Sequence, residues 1–279
     1  MIGNIRRSLL YVPGDSAKML QKAAALSSDL LLLNLEDGVA SAKKDEARGN
    51  VVLALNTIDF GVREIVVRVN SLSTEGGLKD LAAVVPMRPD GICLPKIEKA
   101  AEIQAADAAI LKLEIGHSLP EGGIRLHAMI ESAAGLLRSS EIAAASPRMA
   151  SLVFGSADFA SDMRCLPGED RAELLLALQL IAASARSAGI DVIDAPCFNL
   201  KDADLLRREA VQARRFGFDG KSALHPDQLA VINDAFDFTV EEIAWAERMI
   251  TELDDAEIKG KALTTVDGKL IDNPHRKAA

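Results

Sequence analysis

Along the chain, short apolar runs alternate with longer segments whose apolar positions recur at helical spacing. The runs Ser8–Pro13, Leu30–Asp37, Glu64–Asn70, Gly91–Lys96, Ile124–Ser132, Ser151–Asp158, Asp191–Cys197 and Phe218–Leu224 read as strands. Between them, residues 15–26, 43–57, 78–85, 98–112, 134–144, 169–188, 201–215 and 227–236 read as helices. Strands and helices in strict alternation predict a parallel sheet, and eight such units predict a closed (β/α)8 TIM barrel. The alternative is a doubly wound open sheet, which opens with a Gly-rich phosphate loop after its first strand. Here that turn reads Val12-Pro13-Gly14-Asp15, and neither GxGxxG nor GxxxxGKS follows any strand. Beyond the eighth unit, Ile243, Ala246, Ile250 and Leu253 keep helical spacing, and a polar tail runs from Lys259 to Ala279. The expected organisation is a catalytic barrel over residues 1–238 and a C-terminal helical extension over 239–279. The extension either packs on its own barrel or serves as a lid on a neighbouring subunit.

Composition agrees with this pattern. Of 279 residues, 49% are hydrophobic and only 4% aromatic, which suits buried parallel strands wrapped by Ala-rich helices better than an aromatic-rich sandwich. A net charge of −9 without a basic block argues against a nucleic-acid partner, and an anionic ligand would need a local cationic site. Cys93, Cys165 and Cys197 are widely spaced and form no CxxC pair, so free thiols are expected rather than a disulfide frame or a zinc site. The opening MIGNIRRSLLYVPGD lacks the apolar length of a signal peptide, and Leu30–Leu33 is too short to span a bilayer. A soluble, cytoplasmic protein without a membrane partner is expected.

In a (β/α)8 barrel, chemistry collects at the C-terminal ends of the strands. Those ends carry Glu36 and Asp37, Arg68 with Asn70, Lys96, Glu131 with Ser132, Asp158, Asp194, and Lys221 with His225. Ionisable groups ending apolar strands are costly unless paired or functional. Asp15 and Ser41 are explained as helix caps, but Arg68 and Glu131 lie within the apolar runs IVVRVN and LHAMIES. Glu131 and Asp158 end adjacent strands, so their carboxylates can converge on one hard, oxygen-seeking cation of the Mg²⁺ type, and the lack of His or Cys there argues against zinc. Glu36 and Asp37 form a second acidic pair, for which Lys96 and Arg68 are the cationic partners. The planar fork of Arg68 also suits a carboxylate or a developing enolate oxygen. The pattern is that of a metal-assisted enzyme acting on a small oxyacid.

The runs RRSLLYVPGD, NLEDGV, VRVN, LPK, MIES, VFGSADFASD, GKSALHP and DGKLIDNP occur in that order over nearly the whole chain. Together they resemble the citrate lyase β-subunit-like family, which includes malyl-CoA and citramalyl-CoA lyases and belongs to the aldolase/citrate lyase superfamily. The resemblance implies a (β/α)8 barrel with a C-terminal extension, assembled as a homotrimer or a dimer of trimers, that binds Mg²⁺ (Mn²⁺ as an alternative) and an acyl-CoA thioester. It places the metal ligands on Glu131 and Asp158, the substrate-contacting arginine on Arg68, and an aspartate acting from the adjacent subunit on Asp272. Substrate contacts are further expected from Lys96 and Gly155, and contacts to CoA phosphates from Arg7 and Lys18, which with Arg6 form the basic cluster expected nearest the barrel mouth. Three departures stand out: Asn34 and Gly38 replace residues of the family's usual DLEDAV, Leu270 replaces methionine in GKMID, and the tail is short after Asp272.

The implied reaction is reversible carbon–carbon cleavage of a 3-hydroxyacyl-CoA bearing a second carboxylate, giving acetyl-CoA and a 2-oxo acid; citramalyl-CoA, which gives pyruvate, is the preferred substrate and malyl-CoA the next. Arg68 would stabilise developing oxygen charge, Asp272 would move a proton at the enolate carbon, and Glu36 and Asp37 would orient Arg68 or a metal-bound water. His225, which precedes a proline and opens the last barrel helix, is expected to make a structural hydrogen bond; Asp194 and Cys197 are expected to pack or support. The competing readings are a citrate lyase β-subunit acting on a carrier-bound citryl thioester, an acyl-CoA thioesterase on the same scaffold, and a CoA-binding homologue without turnover.

Overall fold

The computed structural model describes residues 5–276. Eight parallel strands close into one barrel in sequence order: β1 Ser8–Pro13, β2 Leu30–Asn34, β3 Glu64–Arg68, β4 Gly91–Leu94, β5 Arg125–Ile130, β6 Met149–Phe154, β7 Asp191–Asp194 and β8 Gly220–Ala223. The ring closes where Ser8, Leu9 and Leu10 pair with Lys221, Ser222 and Ala223. β2 reads LLLLN and is buried at every position. Both faces of a barrel strand are covered, so its sequence is continuously apolar instead of alternating. Alternation survives in the destinations. Leu9, Leu30, Leu32, Val66, Cys93, Met129, Val153 and Ile193 fill the barrel interior with Tyr11 against them. Leu10, Leu31, Leu33 and Val67 belong to the larger core beneath the surrounding helices.

The helices are α1 Ala17–Ala23, α2 Lys44–Thr57, α3 Glu75–Val84, α4 Ala100–Gly116, α5 Ala133–Leu137, α6 Ser139–Ala143, α7 Ser156–Met163, α8 Leu175–Ala188, α9 Ala203–Arg215 and α10 Leu229–Phe236. Two differences from the sequence reading bear on function. The segment expected as one helix over 134–144 is two short ones. The sixth strand also stops at Phe154, so Asp158 sits in the first turn of α7 and not at a strand end. After Gly155 the backbone turns helical, with the Phe159 N–H donating to the Gly155 carbonyl at 3.1 Å.

Buried ion pairs join the strands at their N-terminal ends. Arg6 pairs with Glu64 and Asp191, and His127 lies 3.6 Å from Glu64. Burial alone would raise the Glu64 pKa, but His127 and Arg6 override it and bring the carboxyl down to about 2. Lys221, expected at the end of the eighth strand, lies within β8 and is fully buried; it bonds Asp194 and Glu209 at 2.8 Å each.

The chain divides into two compact units at Phe236/Asp237. In the second, helix α11 Val240–Ile258 starts with a Thr239/Glu242 capping box. The tail expected to be merely polar is a hairpin of β9 Leu263–Val266 and β10 Lys269–Asp272, followed by a single turn, α12 Asn273–Arg276. Asp267 and Gly268 both have positive φ, at 48° and 76°, the requirement of a two-residue hairpin turn of the type Asp-Gly favours. Met249, Leu253, Val266 and Ile271 form a small core with Trp245 against it. Among the described residues no helix is long and apolar enough to cross a membrane.

Candidate active site

A cavity of about 740 Å³ opens at the C-terminal ends of the barrel strands, its walls including Arg68, Glu131, Gly155, Asp158, Pro196 and Leu224. Glu131 directly follows β5 and is buried. One carboxylate oxygen accepts the Lys96 N–H at 3.0 Å. Lys96 holds a left-handed backbone, φ 53°, a conformation that costs a non-glycine residue energy and collects at functional sites. The other oxygen faces Gly155: a Cβ there would stand 2.6 Å from Oε2 and 2.5 Å from Cγ of Glu131. Only glycine leaves this carboxylate room. Burial raises the Glu131 pKa to about 7, and the hydrogen-bonded neighbour Asp158 adds to the rise against the pull of the Lys96 N–H and Arg68. Two carboxyl groups crowded together, Glu131 buried and Asp158 open to solvent, repel when both are ionised. A divalent cation with oxygen preference relieves that repulsion, so the pair fits a Mg²⁺-type ion. Among the described residues no group of three or more His, Cys, Asp or Glu side chains could hold a metal.

Arg68, the last residue of β3, is buried beside this pair. Its Nε donates to Asn34 Oδ1 at 2.8 Å, and Nη2 donates to the Asp37 carbonyl at 2.8 Å and lies 3.2 Å from Glu36 Oε2. Burial would lower its pKa, but the charges around it, Glu36 and Glu131 among them, hold it above its ordinary value. Lys96 Nζ reaches Glu36 at 3.1 Å and Asp37 at 2.9 Å; the hydrogen bond to Asp37 contributes most to raising its pKa. Burial would raise the Asp37 pKa, and Lys96 outweighs it, lowering the value. Asn34 knits the loop together: besides Arg68 it accepts the Glu36 N–H at 3.0 Å and donates to the Asp37 carbonyl. Gly38 allows the chain to turn away at φ 96°.

The structure thus brings Glu131, Asp158, Gly155, Arg68 and Asp37 to one cavity wall. Lys96 is half-exposed, outside the cavity lining, and its ammonium is taken up by Glu36 and Asp37. Its contribution to the wall is the backbone N–H on Glu131. Arg7 is displaced from its expected place. It precedes β1, at the opposite end of the barrel from the cavity, where it bonds Asp29 through its backbone N–H and guanidinium. The direction of a strand decides this, because residues preceding it lie at the N-terminal face. Lys18 does line the cavity, joined by Lys22 one turn along α1, which sequence reasoning passed over. His225 lines it too, and its Nδ1 accepts the Asp227 N–H at 3.3 Å. Tyr11 was also missed; it faces the interior between β1 neighbours, and the signal was a lone tyrosine inside an apolar strand. Asp194 is fully buried and paired with Arg171 and Lys221. In the second unit, Asp272 ends β10, half-exposed, with its carboxylate 2.6 Å from His275 Nδ1.

A closed barrel with a carboxylate pair and a buried arginine at its C-terminal mouth has the layout of an enzyme active site. The HpcH/HpaI aldolase/citrate lyase family model matches residues 7–226, and the chain belongs to this family of lyases. It is 37% identical over 269 residues to a (3S)-malyl-CoA thioesterase of Cereibacter sphaeroides, covering 96% of this chain and 90% of that protein. It is 35% identical to the mitochondrial citramalyl-CoA lyase of Rattus norvegicus, covering 98% of this chain and 84% of that one. Among solved structures, CitE of Mycobacterium tuberculosis in complex with magnesium, acetoacetate and coenzyme A superposes with a TM-score of 0.79, at 28% identity over 97% of this chain and 94% of that chain.

Proposed function

We propose that the protein cleaves, reversibly, the carbon–carbon bond of a 3-hydroxyacyl-CoA bearing a second carboxylate, giving acetyl-CoA and a 2-oxo acid. The reading rests on one observation: buried Glu131, its solvent-exposed neighbour Asp158 and buried Arg68 share a wall of a cavity large enough for the acyl end of a thioester. Glu131 and Asp158 would hold Mg²⁺, with Mn²⁺ as the alternative. When bound, the ion supplies Lewis acidity and a template for the carboxylate and carbonyl oxygens of the 2-oxo acid.

The chain's own residues account for the rest. Glu131 is aimed by the Lys96 N–H and given room by Gly155. Arg68 stabilises the oxygen charge that develops as the bond breaks. Glu36 and Asp37 hold Arg68 and Lys96 in place. The hydroxyl proton passes to solvent water in the cavity, and the bond's electron pair passes to the thioester enolate. The enolate carbon takes a proton from the carboxylic acid form of Asp272 of a neighbouring copy in a homotrimer or a dimer of trimers, which solvent then reprotonates. Along α1 and just past its end, Met19, Ala23 and Leu26 form an apolar wall flanked by Lys18 and Lys22, a fit for the CoA arm and its phosphates. Lys18 and Lys22 take the phosphate-binding role expected of Lys18 and Arg7.

Citramalyl-CoA, which yields pyruvate, is the preferred substrate, with malyl-CoA next. Among the described residues, Arg68 is the one cation lining the strand-end wall, and Lys96 is already paired with two carboxylates. A 2-oxo acid with one carboxylate matches that supply better than oxaloacetate, which carries two. The named thioesterase relative supports a second reading, hydrolysis of the thioester. Incubation with citramalyl-, malyl- and citryl-CoA, with and without Mg²⁺, separates these. Acetyl-CoA with a 2-oxo acid is expected, lost in EDTA and in Glu131→Ala or Asp158→Ala. Free CoA without 2-oxo acid would establish the thioesterase. Full turnover by Asp272→Ala would remove the proton-transfer role.

A further inference from the structure

The nitrogens of Arg68 are unequally satisfied. Nε has Asn34 Oδ1, and Nη2 has the Asp37 carbonyl and Glu36. Among the described residues, Nη1 meets only the Met129 sulfur, at 3.5 Å, a weak acceptor. A buried guanidinium nitrogen without an oxygen partner is costly, and here it borders the cavity wall that Arg68 and Met129 share. All oxygen partners come from one segment, Asn34 to Asp37, and engage one edge of the planar group. Hydrogen bonds along a single edge act as a hinge and leave the plane free to swing about it. Arg68 Cζ lies over the Tyr11 ring, 5.2 Å from its centroid, within the range of cation–π attraction.

We propose that Tyr11 is the positioning residue for Arg68: its ring stops the swing, so that Nη1 is presented at a fixed angle to an incoming substrate oxygen. The inference rests on the proposed role of Arg68 in the lyase reaction, and it assigns to Tyr11 an aromatic face and not a hydroxyl. The residue alternates with Leu9 on the inward face of β1 and packs against the interior cluster, so the ring is fixed by the barrel wall itself.

The test uses the full-length protein with Mg²⁺ and citramalyl-CoA or malyl-CoA. Tyr11→Phe keeps the face and is expected to retain turnover within about three-fold of the parent. Tyr11→Met fills similar space without a face and is expected to lose roughly ten-fold in kcat, the scale of a partly desolvated cation–π contact; KM and Mg²⁺ affinity by calorimetry should move less than three-fold. Tyr11→Leu repeats the measurement should the Met variant fold poorly. In an Arg68→Lys background, Tyr11→Met should add no further loss, because the planar group it orients is gone. A parental rate in both Tyr11→Met and Tyr11→Leu overturns the inference. So does a loss in Tyr11→Phe equal to that in Tyr11→Met, or a loss that adds fully to Arg68→Lys. An Arg68→Lys variant that turns over like the parent overturns instead the lyase reading beneath it.

Discussion

Glu131 offers a measurement of the proposed metal site that does not depend on catalysis. Its carboxyl ordinarily titrates near 4.5 and is raised in the folded chain to about 7 by burial and by Asp158. A raised carboxyl pKa means that the folded state holds its proton more tightly than the unfolded state. Metal-free protein should therefore carry no penalty from this pair below pH 4.5 and lose stability as pH rises from 4.5 to 7. At about 1.4 kcal/mol per pH unit, the cost above pH 7 is roughly 3 kcal/mol. The perturbation is Glu131→Gln, which is neutral at every pH. Urea unfolding in EDTA at pH 5 and pH 8 should show the variant gaining on the parent between the two, by about 2.5 kcal/mol. Millimolar Mg²⁺ at pH 8 should raise the stability of the parent and leave the variant unmoved, since ligands that bind only the folded state stabilise it by mass action. A parent–variant gap that is the same at both pH values, or a Mg²⁺ effect of equal size in both proteins, would refute the reasoning.

Gly155→Ala forces a methyl within 2.6 Å of Glu131 Oε2; Mg²⁺ affinity by calorimetry should fall at least ten-fold while the thermal transition of the barrel survives. Glu64, with its pKa down to about 2, contributes roughly 3 kcal/mol that is fully present above pH 4.5 and lost as pH falls toward 2. Glu64→Gln should thus unfold at lower urea at pH 7, and the difference from the parent should shrink on acidification; a constant difference would count against the buried pairing. Asp194→Asn leaves Arg171 without its buried counter-charge and Lys221 with Glu209 alone, and should cost about 3 kcal/mol in urea unfolding.

The sequence by itself determined the barrel and most of one wall of its site. Parallel strands buried on both faces must be written as runs such as LLLL, and eight such runs alternating with helices leave few topologies. Against that background Arg68 and Glu131 stood out, because a charge inside an apolar run needs a reason. The tertiary structure decided what depends on direction, backbone angle and closure. Arg7 lies a few residues from Pro13, yet the strand between them carries the two to opposite ends of the barrel. Asp158 reads as a strand residue, but the turn at Gly155 places it on a helix. Lys96 was readable as a partner of Glu36, but not the left-handed angle that turns its backbone N–H to Glu131, which composition does not encode. The Asp-Gly pair in the tail was a readable hairpin signal, passed over because the surrounding residues are polar. Tyr11 becomes meaningful only when β1 and β3, which do not pair with each other, curve round the barrel and bring its ring against Arg68. Periodicity reports which face of an element is buried; which buried faces meet is set by closure of the sheet, and the site is built from those meetings.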